Sequence, residues 1–236
     1  KNKMKVVKFG GKSLANGIGI DSTLQIIANK IKNGEKITVV VSARGNTTDS
    51  LESILEKAKN NLPYADEFER LKNYQLEIDN SVDLAVEFKL LDEIFRGVNL
   101  LGDYTPKVKD QVLAQGEILS AKTITHLLNK LRVKANFVDS RTLIKTNNQF
   151  GKALPFESVS EENVIEHYRK NNGNATQIIT GFIASNLNGE TTTLGRNGSN
   201  YTASLIANFL NAEEFQNYTH VSGIYTADPD LVENSK

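Results

Sequence analysis

The pattern of hydrophobic residues along the chain predicts strands alternating with helices. Residues 6–9 form a short apolar run typical of a buried strand, and residues 37–41 form a β-branched run typical of a strand covered on both faces. Between them, apolar residues at 24, 27, 28 and 31 predict a helix capped by Asp21 or Ser22 and ending near Gly34. This strand–helix–strand order indicates a parallel sheet, with ligands expected at the carboxyl ends of its strands.

The rest of the chain continues the α/β pattern. Residues from 50 to about 97 are mostly helical with charged faces, and together with the next helix they predict a helical lobe over about 50–131. The last predicted helix should turn Tyr201, Leu205, Ile206 and Phe209 inward. The other predicted elements are a helix over 112–131 interrupted at 115–117, strands over 135–138 and 177–183, a helix over 159–170, and a hairpin around Asn188-Gly189 leading into 191–194. The last predicted helix, named above, spans 199–210.

Composition excludes several classes of protein and names no substrate. The 236 residues carry a formal net charge of zero and no basic stretch interleaved with aromatics, so no nucleic-acid partner is expected. The chain has no cysteine, and its three histidines are scattered, so we predict no metal site. It has no apolar run long enough to span a bilayer and no signal-peptide core. We therefore expect a cytoplasmic protein without a membrane partner.

The first predicted strand ends in Lys8-Phe9-Gly10-Gly11-Lys12-Ser13, a candidate phosphate-binding loop. Glycines let backbone amides approach a phosphate, and the helix that follows directs its positive end towards it. The Gly11-Lys12-Ser13 ending resembles a P-loop, but Val6 stands where a Walker A motif requires glycine. Lys8 lies inside the strand, where it is either a phosphate ligand or a lysine that protects a sheet edge.

Three further loops carry polar groups that suit phosphates or carboxylates. The segment from Ser42 to Thr48 is rich in hydroxyls, although a plain turn with a helix cap at 47–49 would explain it. Glu117 follows Gly116 and, taken alone, is explained as a solvated helix residue. The segment Gly195-Arg196-Asn197-Gly198 places an arginine fork before a helix, a pattern that stability alone rarely explains.

Together these loops resemble the aspartokinase family, which has the amino-acid kinase fold. The resemblance runs in order through nearly the whole chain, and its subtype is most like the N-terminal kinase domain of bifunctional aspartokinase–homoserine dehydrogenases. The segments that carry it are Lys8-Phe9-Gly10-Gly11-Lys12-Ser13, Val40-Val41-Ser42-Ala43 with Thr47-Thr48-Asp49-Ser50-Leu51, Gly116-Glu117-Ile118-Leu119-Ser120, Gly181-Phe182-Ile183, and Thr192-Thr193-Leu194-Gly195-Arg196-Asn197-Gly198-Ser199-Asn200-Tyr201. The subtype rests on Asn197 and on Val98-Asn99-Leu100-Leu101-Gly102.

The resemblance implies a three-layer αβα sandwich with a mainly parallel central sheet and a helical lobe. It also implies that ATP phosphorylates the side-chain carboxylate of L-aspartate, with Mg²⁺ carried by the ATP phosphates. Lys8 would be the catalytic cation. The implied aspartate-binding residues are Ser42, Thr48, Glu117, Arg196 and Asn200. The implied ATP-binding residues are Lys8, Gly10, Gly11, Lys12, Ser13, Thr219, His220, Tyr225, Asp228 and Asp230.

The resemblance also sets expectations about the whole protein. Residues 1–236 would be a C-terminally incomplete catalytic domain, with its nucleotide side over about 176–236. The full-length protein would be a homo-oligomer, and NADP would bind only if a dehydrogenase domain follows.

The chain departs from the family pattern near the expected ligands, at Lys12, Asn200, His220, Ser222 and Asp230. One hypothesis is a working kinase in which Lys12 takes over part of the phosphate neutralisation. A second is a degenerate domain that binds aspartate or nucleotide only to regulate an attached enzyme. A third is an amino-acid kinase acting on glutamate or acetylglutamate. Retention of Lys8, Thr48, Glu117 and Arg196 favours the first.

Overall fold

A computed structural model describes residues 3–171 and 173–219 of the chain. Its central sheet has five parallel strands in the order β3-β5-β2-β1-β8, and a smaller sheet has the order β4-β6-β7. The strands are β1 (Met4–Phe9), β2 (Lys36–Val41), β3 (Ala135–Val138), β4 (Lys145–Thr146), β5 (Thr176–Thr180), β6 (Ile183–Asn186), β7 (Thr191–Thr193) and β8 (Glu214–Tyr218). The helices are α1 (Gly17–Lys32), α2 (Thr47–Lys59), α3 (Ala65–Leu76), α4 (Ala85–Leu101), α5 (Pro106–Lys130), α6 (Glu157–Asn171) and α7 (Gly198–Phe209).

Helices cover both faces of the central sheet, which confirms the predicted three-layer α/β sandwich. Side chains alternate between the two faces along each strand. Val7 and Phe9 of β1 pack with α1 and the second half of α5, whereas Val6 packs with α6 and α7. A third apolar cluster joins α2, α3, α4 and the first half of α5 into the helical lobe. The long helix α5 therefore belongs to both the lobe and the sandwich core.

Two predicted helix boundaries are wrong because cap chemistry outside the apolar pattern sets them. Helix α1 begins at Gly17 because the Asn16 side chain accepts a hydrogen bond from the Gly19 amide at 2.9 Å, and Asp21 and Ser22 lie exposed within the helix. Helix α5 begins after Thr105, which caps it, and continues through 115–117 without interruption. Gly116 is required there by close packing, since a Cβ would lie 2.9 Å from the Ala43 Cβ.

Two other predictions need correction, and two observed strands have no counterpart among the predicted elements. The strand predicted over 177–183 is divided into β5 and β6 at Phe182, whose φ of 67° no strand allows. Strands β4 and β8 carry too little apolar pattern to be predicted, and β8 lies at the edge of the sheet. Tyr201 is 39% exposed rather than inward, although the other three residues predicted inward in α7 are buried.

No helix in the described part of the chain is long and apolar enough to cross a membrane.

Candidate active site

A cavity of about 320 Å³ lies at the carboxyl ends of β1 and β2, beside the start of α7. A larger cavity of about 500 Å³ lies at the amino ends of β1, β2 and β5, but the buried acid and cation described below belong to the first. The residues that line the smaller cavity, of about 320 Å³, are Lys8, Gly11, Ser42, Ala43, Gly45, Thr48, Glu117, Phe182, Gly195, Asn197, Gly198, Ser199 and Asn200. Four separate segments that the sequence singles out therefore meet at one place.

Lys8 supplies a buried positive charge to this cavity. It is 7% exposed and lies on β1 between β2 and β8, so the alternative of an edge-strand lysine is wrong. Burial lowers the pKa of its ammonium. Among the described residues, no carboxylate lies within ion-pairing distance of Lys8. A buried cation without an acid partner is costly in a folded protein, which favours an anionic ligand as its partner.

Glu117 supplies a buried carboxyl group on α5. It is 4% exposed, so the alternative of a solvated helix residue is wrong. One oxygen, Oε1, accepts a hydrogen bond from the Ala43 amide at 3.1 Å, whereas the buried Oε2 has no hydrogen-bond partner among the described residues. Burial raises the pKa of this group to about 8. The free oxygen in a cavity wall is an acceptor available to a ligand donor.

Asn200 adds a second unpartnered acceptor in the first turn of α7. Its Oδ1 is buried and has no hydrogen-bond partner among the described residues. Both Asn200 and Glu117 line the cavity, so two buried acceptors that lack a donor among the described residues belong to the wall of one cavity. A ligand ammonium with three donors would satisfy both.

Glycines let the start of α7 approach the strands closely. A Cβ at Gly181 would lie 2.6 Å from the Ser199 Oγ, and a Cβ at Gly198 would lie 2.6 Å from the Phe182 Cδ2. No side chain fits at either position without displacing its neighbour. The result is that α7 points its amino terminus, with its partial positive charge, at the cavity.

The loop after β1 is built differently from the predicted phosphate cradle. The Gly10 amide donates to the Tyr218 carbonyl at 3.2 Å, and the Ser13 hydroxyl donates to the same carbonyl at 3.4 Å. Gly10 instead leaves room for the cation, since a Cβ there would lie 3.3 Å from the Lys8 Nζ. Gly11 lines the cavity, and a Cβ there would lie 2.7 Å from the Ala43 carbonyl oxygen.

Several predicted site residues lie apart from the cavity wall. Arg196 is exposed and does not line the cavity, although Gly195 and Asn197 on either side of it do. Lys12 is exposed and lines a neighbouring cavity with Arg70 and Tyr74. Thr219 is exposed at the end of the described residues. The predicted nucleotide residues His220, Tyr225, Asp228 and Asp230, and the departure at Ser222, lie outside them.

The structure also contains polar residues that the sequence did not single out. Asp110 on α5 is buried and accepts hydrogen bonds from the Gly151 amide at 2.8 Å and from the Thr193 amide and hydroxyl at 2.9 and 3.0 Å. These bonds fix β7 just before the Gly195-Arg196 segment. Burial nevertheless raises the pKa of Asp110. Nothing in its local sequence distinguishes it from a solvated helix acid.

Among the described residues, no group of three or more histidine, aspartate or glutamate side chains is placed to hold a metal ion.

The sequence and the fold resemble those of known proteins. A model of the amino acid kinase family matches residues 3–236. Lysine-sensitive aspartokinase 3 of Escherichia coli K12 is 30% identical over 244 residues, covering 100% of this chain and 53% of that protein. A bifunctional aspartokinase/homoserine dehydrogenase of Buchnera aphidicola is 30% identical, covering 99% of this chain and 30% of that protein.

A crystal structure of E. coli aspartokinase III in complex with aspartate and ADP has a TM-score of 0.85 and 28% sequence identity, covering 99% of this chain and 53% of that one. This chain therefore spans about half the length of the E. coli aspartokinase and 30% of the bifunctional protein.

Fold and site together define a three-layer α/β domain with a cavity of small-ligand size at the carboxyl ends of parallel strands. The chain belongs to the amino acid kinase family, and its relatives confirm the resemblance to aspartokinases.

Proposed function

We propose that this protein transfers the γ-phosphoryl group of ATP to the side-chain carboxylate of L-aspartate. The observation that carries the proposal is the single cavity lined by a buried cation, Lys8, and by the two unpartnered acceptors of Glu117 and Asn200. An α-amino acid offers the matching groups, an ammonium for the acceptors and carboxylates for the cationic side. The resemblance to aspartokinases, one of which was crystallised with aspartate and ADP, supports the same substrates.

The chemistry asks the protein mainly for placement and charge neutralisation. The attacking carboxylate is already an anion, so no general base is required, and the barrier comes from bringing two anionic groups together in line. Mg²⁺ would enter with ATP and neutralise charge on its phosphates. Lys8 would neutralise charge on the transferring phosphoryl group, and the amino terminus of α7 would add a partial positive charge.

The proposed aspartate contacts divide between opposite walls of the cavity. Glu117 and Asn200 would bind the ammonium, and the hydroxyls of Ser42 and Thr48 would orient the substrate. Arg196 would bind the α-carboxylate, which requires its exposed side chain to turn from solvent towards the cavity. The ATP side would contain Lys8, Gly10, Gly11, Lys12 and Ser13. Gly10 would contribute by leaving room for the Lys8 ammonium, because its amide already donates to the Tyr218 carbonyl.

The departures from the family pattern support one competing function, that of a degenerate domain. Such a domain would bind aspartate or nucleotide for regulation and transfer no phosphate. A third candidate is a kinase for glutamate, whose side chain is one methylene longer. The catalytic assignment is preferred because Lys8, which would neutralise the transferring phosphoryl group, is retained with Thr48, Glu117 and Arg196. Lys8, Thr48 and Glu117 also line one cavity.

A coupled assay of ADP release, with aspartate and glutamate in parallel, tests the proposal. Activity with aspartate, at a kcat/KM at least about tenfold above that with glutamate, is the expected result. ADP release with glutamate alone would replace the substrate. No ADP release with either, together with aspartate binding measured by calorimetry, would favour the regulatory function. We further propose a cytoplasmic location and a homo-oligomeric full-length protein, which fractionation and light scattering would test.

A further inference from the structure

Arg44 lies immediately after Ser42-Ala43 and is the largest fully buried side chain among the described residues. Its guanidinium donates to the Leu14 carbonyl at 3.1 Å, the Tyr74 carbonyl at 2.8 Å and the Ala15 carbonyl at 3.3 Å. The carboxylate that reaches it is that of Glu77, 3.4 Å away on a side chain that is half exposed. Backbone carbonyls therefore satisfy most of this buried charge.

Tyr74, near the end of α3, contacts both Arg44 and the segment after β1. Its ring lies 4.3 Å from the Arg44 Cζ, and its hydroxyl donates to the Ala15 carbonyl at 2.6 Å. Gly45 has a φ of 49°, and a Cβ there would lie 2.5 Å from the Tyr74 hydroxyl. The helical lobe thus contacts the segment after β1 and the segment after β2 at the same point.

Both segments belong to the candidate active site. The segment after β1 contains Gly11, and the segment after β2 contains Ser42 and Thr48. Apart from Arg44, the segments are joined by the hydrogen bond from the Gly45 amide to the Gly11 carbonyl at 2.9 Å. The guanidinium adds two bonds to the first segment while being covalently part of the second.

We propose that Arg44 is a positioning residue that holds the phosphate-side segment after β1 in register with the substrate-side segment after β2. The proposal rests on the proposed kinase function. The new element is that one side chain, Arg44, sets the relative placement of ATP and aspartate without contacting either substrate. A displacement of about 1 Å between reacting groups costs about 10²-fold in rate, so loss of this register lowers kcat.

Arginine suits the task because its planar fork reaches several carbonyls in fixed directions. A lysine at this position keeps the charge, but its three donors all radiate from a single nitrogen. It therefore cannot reach the carbonyls of Leu14, Ala15 and Tyr74 together. A methionine keeps the volume and removes every donor. The buried charge is not needed for a stable fold, since an apolar side chain of similar size often gives an equal free energy of unfolding.

The experiment compares Arg44→Lys and Arg44→Met with Val164→Ala in the full chain. Val164 is fully buried on α6, away from the cavity, so Val164→Ala lowers stability without touching the site. The expected result is that kcat for both Arg44 variants falls at least about tenfold while KM for each substrate stays within about threefold. Val164→Ala should keep wild-type kcat at a temperature where all the variants are folded.

Chemical rescue provides a readout that a purely structural role would not give. In Arg44→Ala, millimolar guanidinium chloride below denaturing concentration should restore part of kcat, whereas sodium chloride at equal ionic strength should not. A folded Arg44→Met with wild-type kcat overturns the proposal, as does an Arg44→Ala that guanidinium leaves unchanged.

A milder variant covers the case in which the Arg44 variants fail to fold. Tyr74→Phe removes the hydroxyl's hydrogen bond to the Ala15 carbonyl and leaves every Arg44 hydrogen bond in place. If Arg44 holds the register, kcat should stay within about threefold of wild type; a loss of tenfold or more would assign the placement to Tyr74 and overturn the proposal. A wild-type chain that releases no ADP contradicts the proposed function alone. Positioning is then tested by calorimetry: wild type should bind ADP more tightly when aspartate is present, and Arg44→Lys should lose this increase. The same increase in both proteins, or none in either, overturns the proposal.

Discussion

Glu117 accepts a hydrogen bond from the Ala43 amide at 3.1 Å, and this bond joins the middle of α5 to the segment after β2. It uses one carboxylate oxygen; the other is buried in the cavity wall and has no hydrogen-bond partner in the described part of the chain. The same helix packs against the central sheet and within the helical lobe. A substrate that binds Glu117 therefore contacts the point where the two parts of the domain meet.

Replacing Glu117 with glutamine should remove a pH dependence of stability. Burial raises the pKa of Glu117 from its ordinary 4.5 to about 8. Between these values the unfolded chain has lost the proton that the folded chain retains, so the free energy of unfolding falls as pH rises. The slope is at most about 1.4 kcal/mol per pH unit, and the destabilisation is complete above about pH 8.

Urea unfolding between pH 5 and 9 measures this effect. Glu117→Gln should gain stability relative to wild type as pH rises. The control Glu161→Gln, on an exposed position of α6, should follow wild type at every pH. Parallel profiles for wild type and Glu117→Gln would show that Glu117 is ionised throughout.

Aspartate binding should release a proton near neutral pH. A substrate ammonium at Glu117 favours the ionised carboxylate, which is mostly protonated in the free protein below about pH 8. Up to about one proton should leave on binding at pH 7, and the release should vanish above about pH 9. Calorimetry in buffers of different ionisation enthalpy measures it, and Glu117→Gln should release none. Equal enthalpies in all buffers at pH 7 would exclude Glu117 as the ammonium ligand.

Lys8→Met should abolish most activity while the fold remains intact. Loss of a preorganised charge opposite the transferring group lowers kcat by about 10²- to 10³-fold. Lys8 is buried and has no acid partner among the described residues, so its removal should leave the unfolding free energy unchanged or higher. Steady-state kinetics and thermal unfolding on the same sample separate the two effects. A Lys8→Met enzyme with wild-type kcat would refute the catalytic assignment.

Lys12→Ala should have a smaller effect, confined to ATP. Lys12 is exposed and lines the cavity next to the candidate active site. An exposed charge contributes up to about 1 kcal/mol, so the KM for ATP should rise up to about fivefold with kcat preserved. Kinetics at varied ATP and saturating aspartate measure this. If the ATP KM and kcat both stay unchanged, Lys12 takes no part in phosphate neutralisation.

Gly198→Ala should destabilise the fold at the start of α7. The new Cβ would lie 2.6 Å from the Phe182 Cδ2 and 3.2 Å from the Phe182 Cα, and overpacking of this kind costs about 1–3 kcal/mol. Gly97→Ala on α4 is the matched control, because its Cβ would meet nothing within 4 Å. That control should stabilise the helix by about 0.5–1 kcal/mol. Urea denaturation of both variants gives the comparison, and equal midpoints would contradict the packing argument.

Local pattern predicted β1, β2 and the edge strand β3 well but missed β8. Strands β1 and β2 are covered on both faces, so most of their residues are apolar and the pattern is visible without any partner. Among the described residues, β8 pairs only with β1, and its mostly exposed residues carry no such pattern. Helix starts failed for a related reason, since Asn16 and Thr105 act through a single side-chain hydrogen bond that periodicity does not report.

The fold class, the family resemblance and the segments that carry the chemistry can all be read from the sequence, because apolar periodicity and glycine-bearing motifs are local. Which of their side chains are buried depends on the tertiary structure. Ala43 and Glu117 stand 74 positions apart, and the local pattern of neither reveals their hydrogen bond. Burial then sets the chemistry: it raises the pKa of Glu117, lowers that of Lys8 and surrounds Arg44 with carbonyls. Desolvation depends on the whole fold, which is why the sequence pattern alone did not determine these properties.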